Sequence, residues 1–256
     1  RALAIRERAL GAEHGDLAAH YHRLAAVFAS QKKDSEAEFF HQRAVQIAHR
    51  ALGPEHIAVA SMLDALAAFY REHKRLAEAE PLLRRALAIR EGALSPAALE
   101  VAASLDSLAL ALFGQKKYDE AEPLYRRSLA IWETALGPDH SSVATSLDNL
   151  AVLLATQEKY DDAEPFYRRA LAIREKAAIH SLNNLGLVQG ERKKGADARA
   201  LFALALEVGE KGVAREPLLL ITTLENYAGL LRQVARIREA SRLEARLKTL
   251  KQPPSQ

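Results

Sequence analysis

The chain has 256 residues, of which 49% are hydrophobic and 27% are charged, so it can bury a core and is not a disordered polymer. It contains no cysteine, which excludes disulfides, thiolate metal sites and cysteine nucleophiles. Its formal net charge of +3 arises from 36 basic and 33 acidic residues, an excess too small to indicate nucleic acid binding without clustering.

The sequence has no run of the roughly 18 consecutive apolar residues that a membrane span needs. The first residues, RALAIRERAL, do not have the pattern of a signal peptide. We therefore expect a soluble chain, with the cytoplasm as the favoured compartment, while the sequence leaves open what precedes Arg1.

An internal repeat organises the whole chain. A leucine or valine followed two residues later by isoleucine recurs every 42 residues, and the next such pair, Leu206 and Val208, follows after 35. The pairs that define this period are Leu3 and Ile5, Val45 and Ile47, Leu87 and Ile89, Leu129 and Ile131, and Leu171 and Ile173. Each unit has a leucine-rich segment, a short polar break and a second amphipathic segment, both with apolar spacings of three and four. This pattern predicts two antiparallel helices per unit.

In chain order, we expect a single array over 1–251 and a disordered tail at 252–256. The predicted units are a partial first unit at 1–10 and further units near 16–52, 57–94, 98–136, 141–177, 178–209 and 216–251.

Proline recurs early in the second helix of three units, at Pro81, Pro123 and Pro165. If Asp119 or its neighbour caps the helix, Pro123 falls in or immediately after the first turn, where at most one backbone hydrogen bond is lost. We therefore expect these helices to continue through their prolines. At the other end, Gly53 and Gly137 are predicted C-terminal caps.

The fifth unit lacks seven residues that its neighbours have between their second helix and the next first helix, after Ala177. We interpret this as residues absent from the sequence rather than as a truly short loop.

Small and aromatic residues at fixed contact positions extend the pattern. Ala163, Tyr167 and Ala170 follow an Ala-x(3)-aromatic-x(2)-Ala spacing, and so do Ala198, Phe202 and Ala205. With the phrase AEPLYRRSLAIWETALGPDH, this resembles the tetratricopeptide repeat of the kinesin-light-chain type. The resemblance implies an all-α, right-handed superhelical solenoid of antiparallel helix pairs, whose first helices line a concave groove. It also implies a non-catalytic scaffold with a protein or peptide partner.

Asparagine occupies one groove column in the carboxyl-terminal half, at Asn149, Asn184 and Asn226. In the resembled family, an asparagine here is associated with holding the main chain of a bound peptide, since its amide is both donor and acceptor. The alternative is an asparagine that bonds to its own neighbouring helix.

The adjacent column is mostly acidic. Its members are Asp64, Asp106, Asp148, Asn183 and Glu225. They favour a basic or amide-rich partner segment, and the alternative is a solvated helix face. One turn further, Arg71, Phe113 and Arg232 would give the groove a mixed character.

Other repeated features predict structure rather than binding. The arginine pairs that begin at Arg84, Arg126 and Arg168 each follow a glutamate by four residues, which is typical of a solvated helix. Histidines in successive loops mark loop structure better than a metal site. The single tryptophan, Trp132, is expected to pack rather than to bind.

We find no signature of an enzyme, and we expect no cofactor or metal. The favoured function is therefore a scaffold that binds an extended or helical peptide segment in its groove. Two alternatives remain: a self-associating homo-oligomer in which Leu3 and Ile5 are exposed, and, less favoured, an RNA-binding helical repeat.

Overall fold

A computed structural model describes residues 14–212 and 217–251. This part of the chain forms eleven α-helices and contains no strand. The helices are α1 (Asp16–Ser30), α2 (Asp34–Leu52), α3 (Ile57–Glu72), α4 (Leu76–Ala93), α5 (Leu99–Gly114), α6 (Tyr118–Leu136), α7 (Ser141–Thr156), α8 (Tyr160–Glu191), α9 (Gly195–Lys211), α10 (Pro217–Gln233) and α11 (Ile237–Lys251). None of the described helices is long and apolar enough to cross a membrane.

The chain divides into two compact units. The first comprises the described residues up to Pro138 together with Val152–Glu158, and the second comprises Asp139–Ala151 together with the residues from Lys159 onward. In the first unit, α1 packs on α2, α3 on α4, and α5 on α6. In the second unit, α9 packs on α8, and α11 on α10. The expected fold class, an all-α repeat array of helix pairs, is confirmed.

Alanine lies where the second helix of each pair approaches the first. Six alanines at equivalent positions are all at most 2% exposed, and they are Ala37, Ala79, Ala121, Ala163, Ala198 and Ala240. A methyl side chain lets two helix backbones come close together, and larger residues around it fill the remaining space. The small contact residues of the repeat therefore set the distance between paired helices.

The turn inside each pair places one residue in the left-handed region of the backbone map. The six residues have φ between 57° and 63°, and they are Lys32, Lys74, Lys116, Glu158, Lys193 and Ala235. In the third described pair, the next residue closes the turn, because Lys117 N donates to the carbonyl of Leu112 at 2.9 Å. This hydrogen bond satisfies a carbonyl that the end of α5 would otherwise leave free.

The helix termini confirm part of the sequence interpretation. α6 runs unbroken through Pro123, as expected, and Gly53 and Gly137 cap their helices with φ of 89° and 85°. The expected cap at Asp119 is wrong, because the N-cap of α6 is Lys117 and its side chain makes no capping hydrogen bond. Asp119 lies instead in the first turn, where its charge interacts favourably with the helix dipole.

The fifth unit differs most from expectation. No loop separates its second helix from the next first helix, because α8 continues without a break from Tyr160 to Glu191. The stretch around Ala177 carries no glycine or proline that would end a helix. Tyr167 and Leu171 are 40% and 47% exposed, although their equivalents Tyr125 and Leu129 are only 1% and 8% exposed. The contact signature alone therefore does not ensure burial.

Two expectations lie outside the described residues. Leu3 and Ile5, on which the homo-oligomer alternative depends, belong to the first 13 residues, and the predicted tail at 252–256 follows α11.

We predict that the residue type at position 116 matters through its backbone angle. Lys116→Val should lower the free energy of unfolding by about 1–2 kcal/mol, because a β-branched residue strongly disfavours positive φ. Lys116→Gly, the control at the same site, should keep or slightly increase stability. Urea unfolding followed by circular dichroism checks both variants, and equal midpoints for valine and glycine would contradict the prediction.

Candidate functional site

Each acidic residue of the predicted groove column is paired with the second helix of its own helix pair. The partner stands 26 positions later in every case. The four contacts are Asp64 Oδ2 to Arg90 Nη2 at 2.5 Å, Asp106 Oδ2 to Trp132 Nε1 at 2.8 Å, Asp148 Oδ2 to Arg174 Nη2 at 2.5 Å and Glu225 Oε1 to Lys251 Nζ at 2.7 Å. These carboxylates are engaged within the chain, so the geometry supports a role in joining the helices of a pair.

Two of these carboxylates are desolvated. Burial raises the pKa of the Asp64 carboxyl, although the hydrogen bond from Arg90 opposes the increase. Burial also raises the pKa of Asp106, and hydrogen bonds from Ser128 and Trp132 only partly offset it. In both residues, Oδ1 is buried and has no hydrogen-bond partner among the described residues. Charge at this column is therefore costly unless the partner helix supplies a donor.

Trp132 has a specific role that the sequence analysis missed. It stands in the column of Arg90 and Arg174, and its indole N–H is the donor to Asp106. The tryptophan is half-buried. It thus replaces a charged donor by a neutral one, and the sequence signal was its place in the period of 42 residues.

The asparagines occupy three different environments. Asn149 and Asn226 are half-buried, and Asn184 is exposed. None of the three side chains hydrogen-bonds to another residue of the described ranges, so their amides are available. Asn183 is 4% exposed, and its Nδ2 donates to Thr223 Oγ1 at 2.8 Å. Asn183 is therefore inaccessible to a ligand, contrary to the sequence hypothesis.

Arg71 lies between two cavities of the first unit. One cavity, of about 350 Å³, is lined by Arg71 with residues of α3, α4 and α5, including Leu110 and Phe113. The other, of about 260 Å³, is lined by Arg71 with Asp64 and Arg90. Arg71 is half-buried and forms no ion pair with a described residue. Its guanidinium is therefore an uncompensated charge on the first-helix face.

Arg232, the other basic residue predicted for the groove, is engaged. Its Nε and Nη2 donate to the two carboxylate oxygens of Glu244, at 2.6 and 2.8 Å. Glu244 occupies the position of the repeat aromatic in the last unit, so this bidentate pair replaces an apolar contact.

The arginine stripe on the second helices is neutralised, as the sequence predicted. Arg84, Arg126 and Arg168 each donate from Nε to the glutamate four residues earlier, at 2.9, 2.9 and 2.6 Å. The loop histidines also have a structural role, because His56 and His140 each accept a backbone N–H at 3.1 Å.

Comparisons with known proteins agree with this geometry. A tetratricopeptide repeat family model matches residues 40–92 and 100–176, more than half of the chain, and a second tetratricopeptide repeat model matches residues 17–58. No curated protein matches the chain by sequence.

Solved structures show the same fold at low identity. The Podosopora anserina putative kinesin light chain TPR-like repeats are 20% identical, with 93% of this chain and 96% of that chain covered and a TM-score of 0.50. The apo form of RapI is 15% identical, with 92% and 84% covered and a TM-score of 0.56. Aspartyl phosphate phosphatase F from Bacillus subtilis is 15% identical, with 94% and 61% covered and a TM-score of 0.55.

Two carboxylates should give opposite pH dependences of stability. The raised pKa of Asp106 means that the folded chain binds its proton more tightly, so Asp106 costs stability as the pH rises above about 4. For Glu80, burial alone would raise the pKa, but hydrogen bonds from Lys117, Gln115 and Arg84 lower it to about 2. Glu80 therefore contributes stability above its unfolded pKa, and this contribution is lost as the pH falls towards 2.

We expect Asp106→Asn to be more favourable relative to the wild type at pH 7 than at pH 3.5, and Glu80→Gln to show the reverse. Urea unfolding at both pH values measures the two differences. The same sign of change for both variants would contradict the assigned pKa shifts.

Proposed function

Because this chain belongs to the tetratricopeptide repeat family and is thus a scaffold for protein–protein interaction, we propose that it binds a peptide segment of a partner on its first-helix face. The fold is generally that of a non-catalytic scaffold. The observation that carries the proposal is Arg71, a half-buried cation next to two cavities and without an ion pair among the described residues.

The chemistry around Arg71 favours an acidic side chain or a terminal carboxylate in the ligand. A desolvated guanidinium binds a carboxylate strongly because it donates two parallel hydrogen bonds. Leu76, Leu110 and Phe113 line the adjoining cavity and suit an apolar side chain next to the acid. This ligand charge is opposite to the one that the acidic column suggested, because Asp64 and Asp106 are engaged by Arg90 and Trp132.

The asparagine amides supply the second element of the proposal. Asn149, Asn184 and Asn226 present donors and acceptors that no described residue occupies. Such groups suit the main chain of an extended segment, which carries one donor and one acceptor at each non-proline residue. In this proposal, the charge of Arg71 selects the ligand and the amides hold its backbone.

Arg71 is tested best by reversing its charge. Peptides selected from a random dodecapeptide library on the wild-type chain should be enriched in aspartate and glutamate, and those selected on Arg71→Glu should be enriched in lysine and arginine. Arg71→Ala should weaken the wild-type peptides at least tenfold, about 1.4 kcal/mol. Arg84→Ala, which removes a paired arginine of the same unit, is the control and should change affinity less than twofold. Unchanged enrichment on Arg71→Glu would reject the proposal.

Asn184→Ala should weaken the same peptides about threefold to tenfold and leave the melting temperature unchanged, because the side chain is exposed and makes no hydrogen bond within the described chain. Fluorescence anisotropy and thermal unfolding measure the two effects. Wild-type affinity in the variant would remove Asn184 from the ligand-binding surface.

A further inference from the structure

A separate cavity of about 210 Å³ lies between α8 and α10 in the second unit. It is smaller than the roughly 300–1,000 Å³ of typical small-molecule pockets, and its size suits one long side chain. Its walls are formed by three glycines with Leu187, Phe202 and Leu230, and its polar groups come from Glu191, Glu225, Asn226 and Gln233.

The glycines have different reasons for being present. A Cβ atom at Gly186 would approach the ring of Phe202 to 2.9 Å, and one at Gly190 would approach Leu230 to 3.3 Å. Packing therefore favours a missing side chain at these two positions. A Cβ atom at Gly229 would meet nothing within 4 Å, so glycine there leaves open space rather than avoiding a clash. A larger side chain at 229 would occupy the cavity without displacing the core.

The polar rim is acidic and partly unsatisfied. Glu225 is bonded to Lys251 at 2.7 Å, but Glu191 forms no ion pair with any residue of the described ranges. The amides of Asn226 and Gln233 likewise make no hydrogen bond within those ranges. The rim thus offers carboxylate and amide oxygens to a donor, above walls of glycine, leucine and phenylalanine.

We propose that this cavity receives a lysine or arginine side chain from the partner segment. The apolar stem of such a side chain would lie along the glycines and Leu230, and its cationic head would donate to Glu191 and to the amide oxygens of Asn226 and Gln233. The charge complementarity is the reverse of that at Arg71. This inference rests on the proposed function, because it assigns a second binding determinant to the same class of ligand.

The test uses a fluorescein-labelled decapeptide of alternating alanine and lysine, with an alanine–glutamate decapeptide as the comparison, in anisotropy titrations on the whole chain. The wild type should bind the lysine peptide at least tenfold more tightly than the glutamate peptide. Gly229→Leu, which fills the cavity, and Glu191→Gln, which removes the free carboxylate, should each weaken the lysine peptide at least fivefold.

Two variants serve as matched controls. Gly92→Leu introduces the same side chain at another glycine with open space, and Asp162→Asn removes an exposed carboxylate elsewhere in the second unit. Both should bind the lysine peptide within twofold of the wild type. Circular dichroism confirms folding, and if Gly229→Leu does not fold, Glu191→Gln decides the test.

The proposal is overturned if the lysine peptide does not bind, or if it binds equally to the wild type and to the folded variants at 191 and 229. Arg71→Glu separates this inference from the proposed function, because it should leave lysine-peptide binding unchanged. Loss of the Arg71-dependent peptides with retained lysine binding would reject only the first-unit site, and the opposite result would reject only this cavity.

Discussion

The close approach of two helices through buried alanines is the constraint on which the other features depend. Every described second helix carries such an alanine within its first turns, and none of these six is more than 2% exposed. Because the side chain at this contact is small, the neighbouring bulky residues can interdigitate, as Tyr125 and Phe202 do at 1% and 0% exposure. Since this packing uses the apolar face of each helix pair, function is left to the polar positions between the leucines of the first helices.

The acid–donor pairs within the helix pairs show how those polar positions are divided. An acid in the first helix always faces a donor 26 residues later. Where the first-helix residue is not acidic, the second helix has a small residue, as His22 with Ala48 and Asn183 with Gly209 show. This correlation inside one chain is what a structural pair requires, since a half-buried carboxylate without a donor is costly. It removes the acidic column from consideration as a free surface and leaves Arg71, Glu191 and the asparagine amides as the unpaired groups.

Much of the fold could be predicted from the sequence because it depends on local signals. The period of 42 residues, the helix-breaking glycines at 53 and 137 and the tolerated Pro123 are each determined by nearby residues. The cap at Asp119 was wrong because acidic residues also suit the first turn. The continuity of α8 could not be derived from the repeat, since the repeat itself predicts a loop there.

The candidate site was harder to predict because it depends on which side chains meet across a helix pair. Spacing placed Asp106 and Asn183 on the first helices, but only three-dimensional contacts show that Trp132 and Thr223 occupy them. The spacing of 26 residues between acid and donor was present in the sequence and could have indicated the pairs. That Arg71 lacks such a partner follows only from the structure.

The most direct measurement places a photo-crosslinking residue, p-benzoylphenylalanine, on either side of a helix pair and identifies which position captures a library-selected peptide. Ala68 is exposed on the first helix α3 and lines both cavities at Arg71, whereas Ala88 is exposed on the second helix α4. Binding on the first-helix face predicts crosslinking from position 68 and none from position 88. Crosslinking from position 88 with none from position 68 would contradict the account.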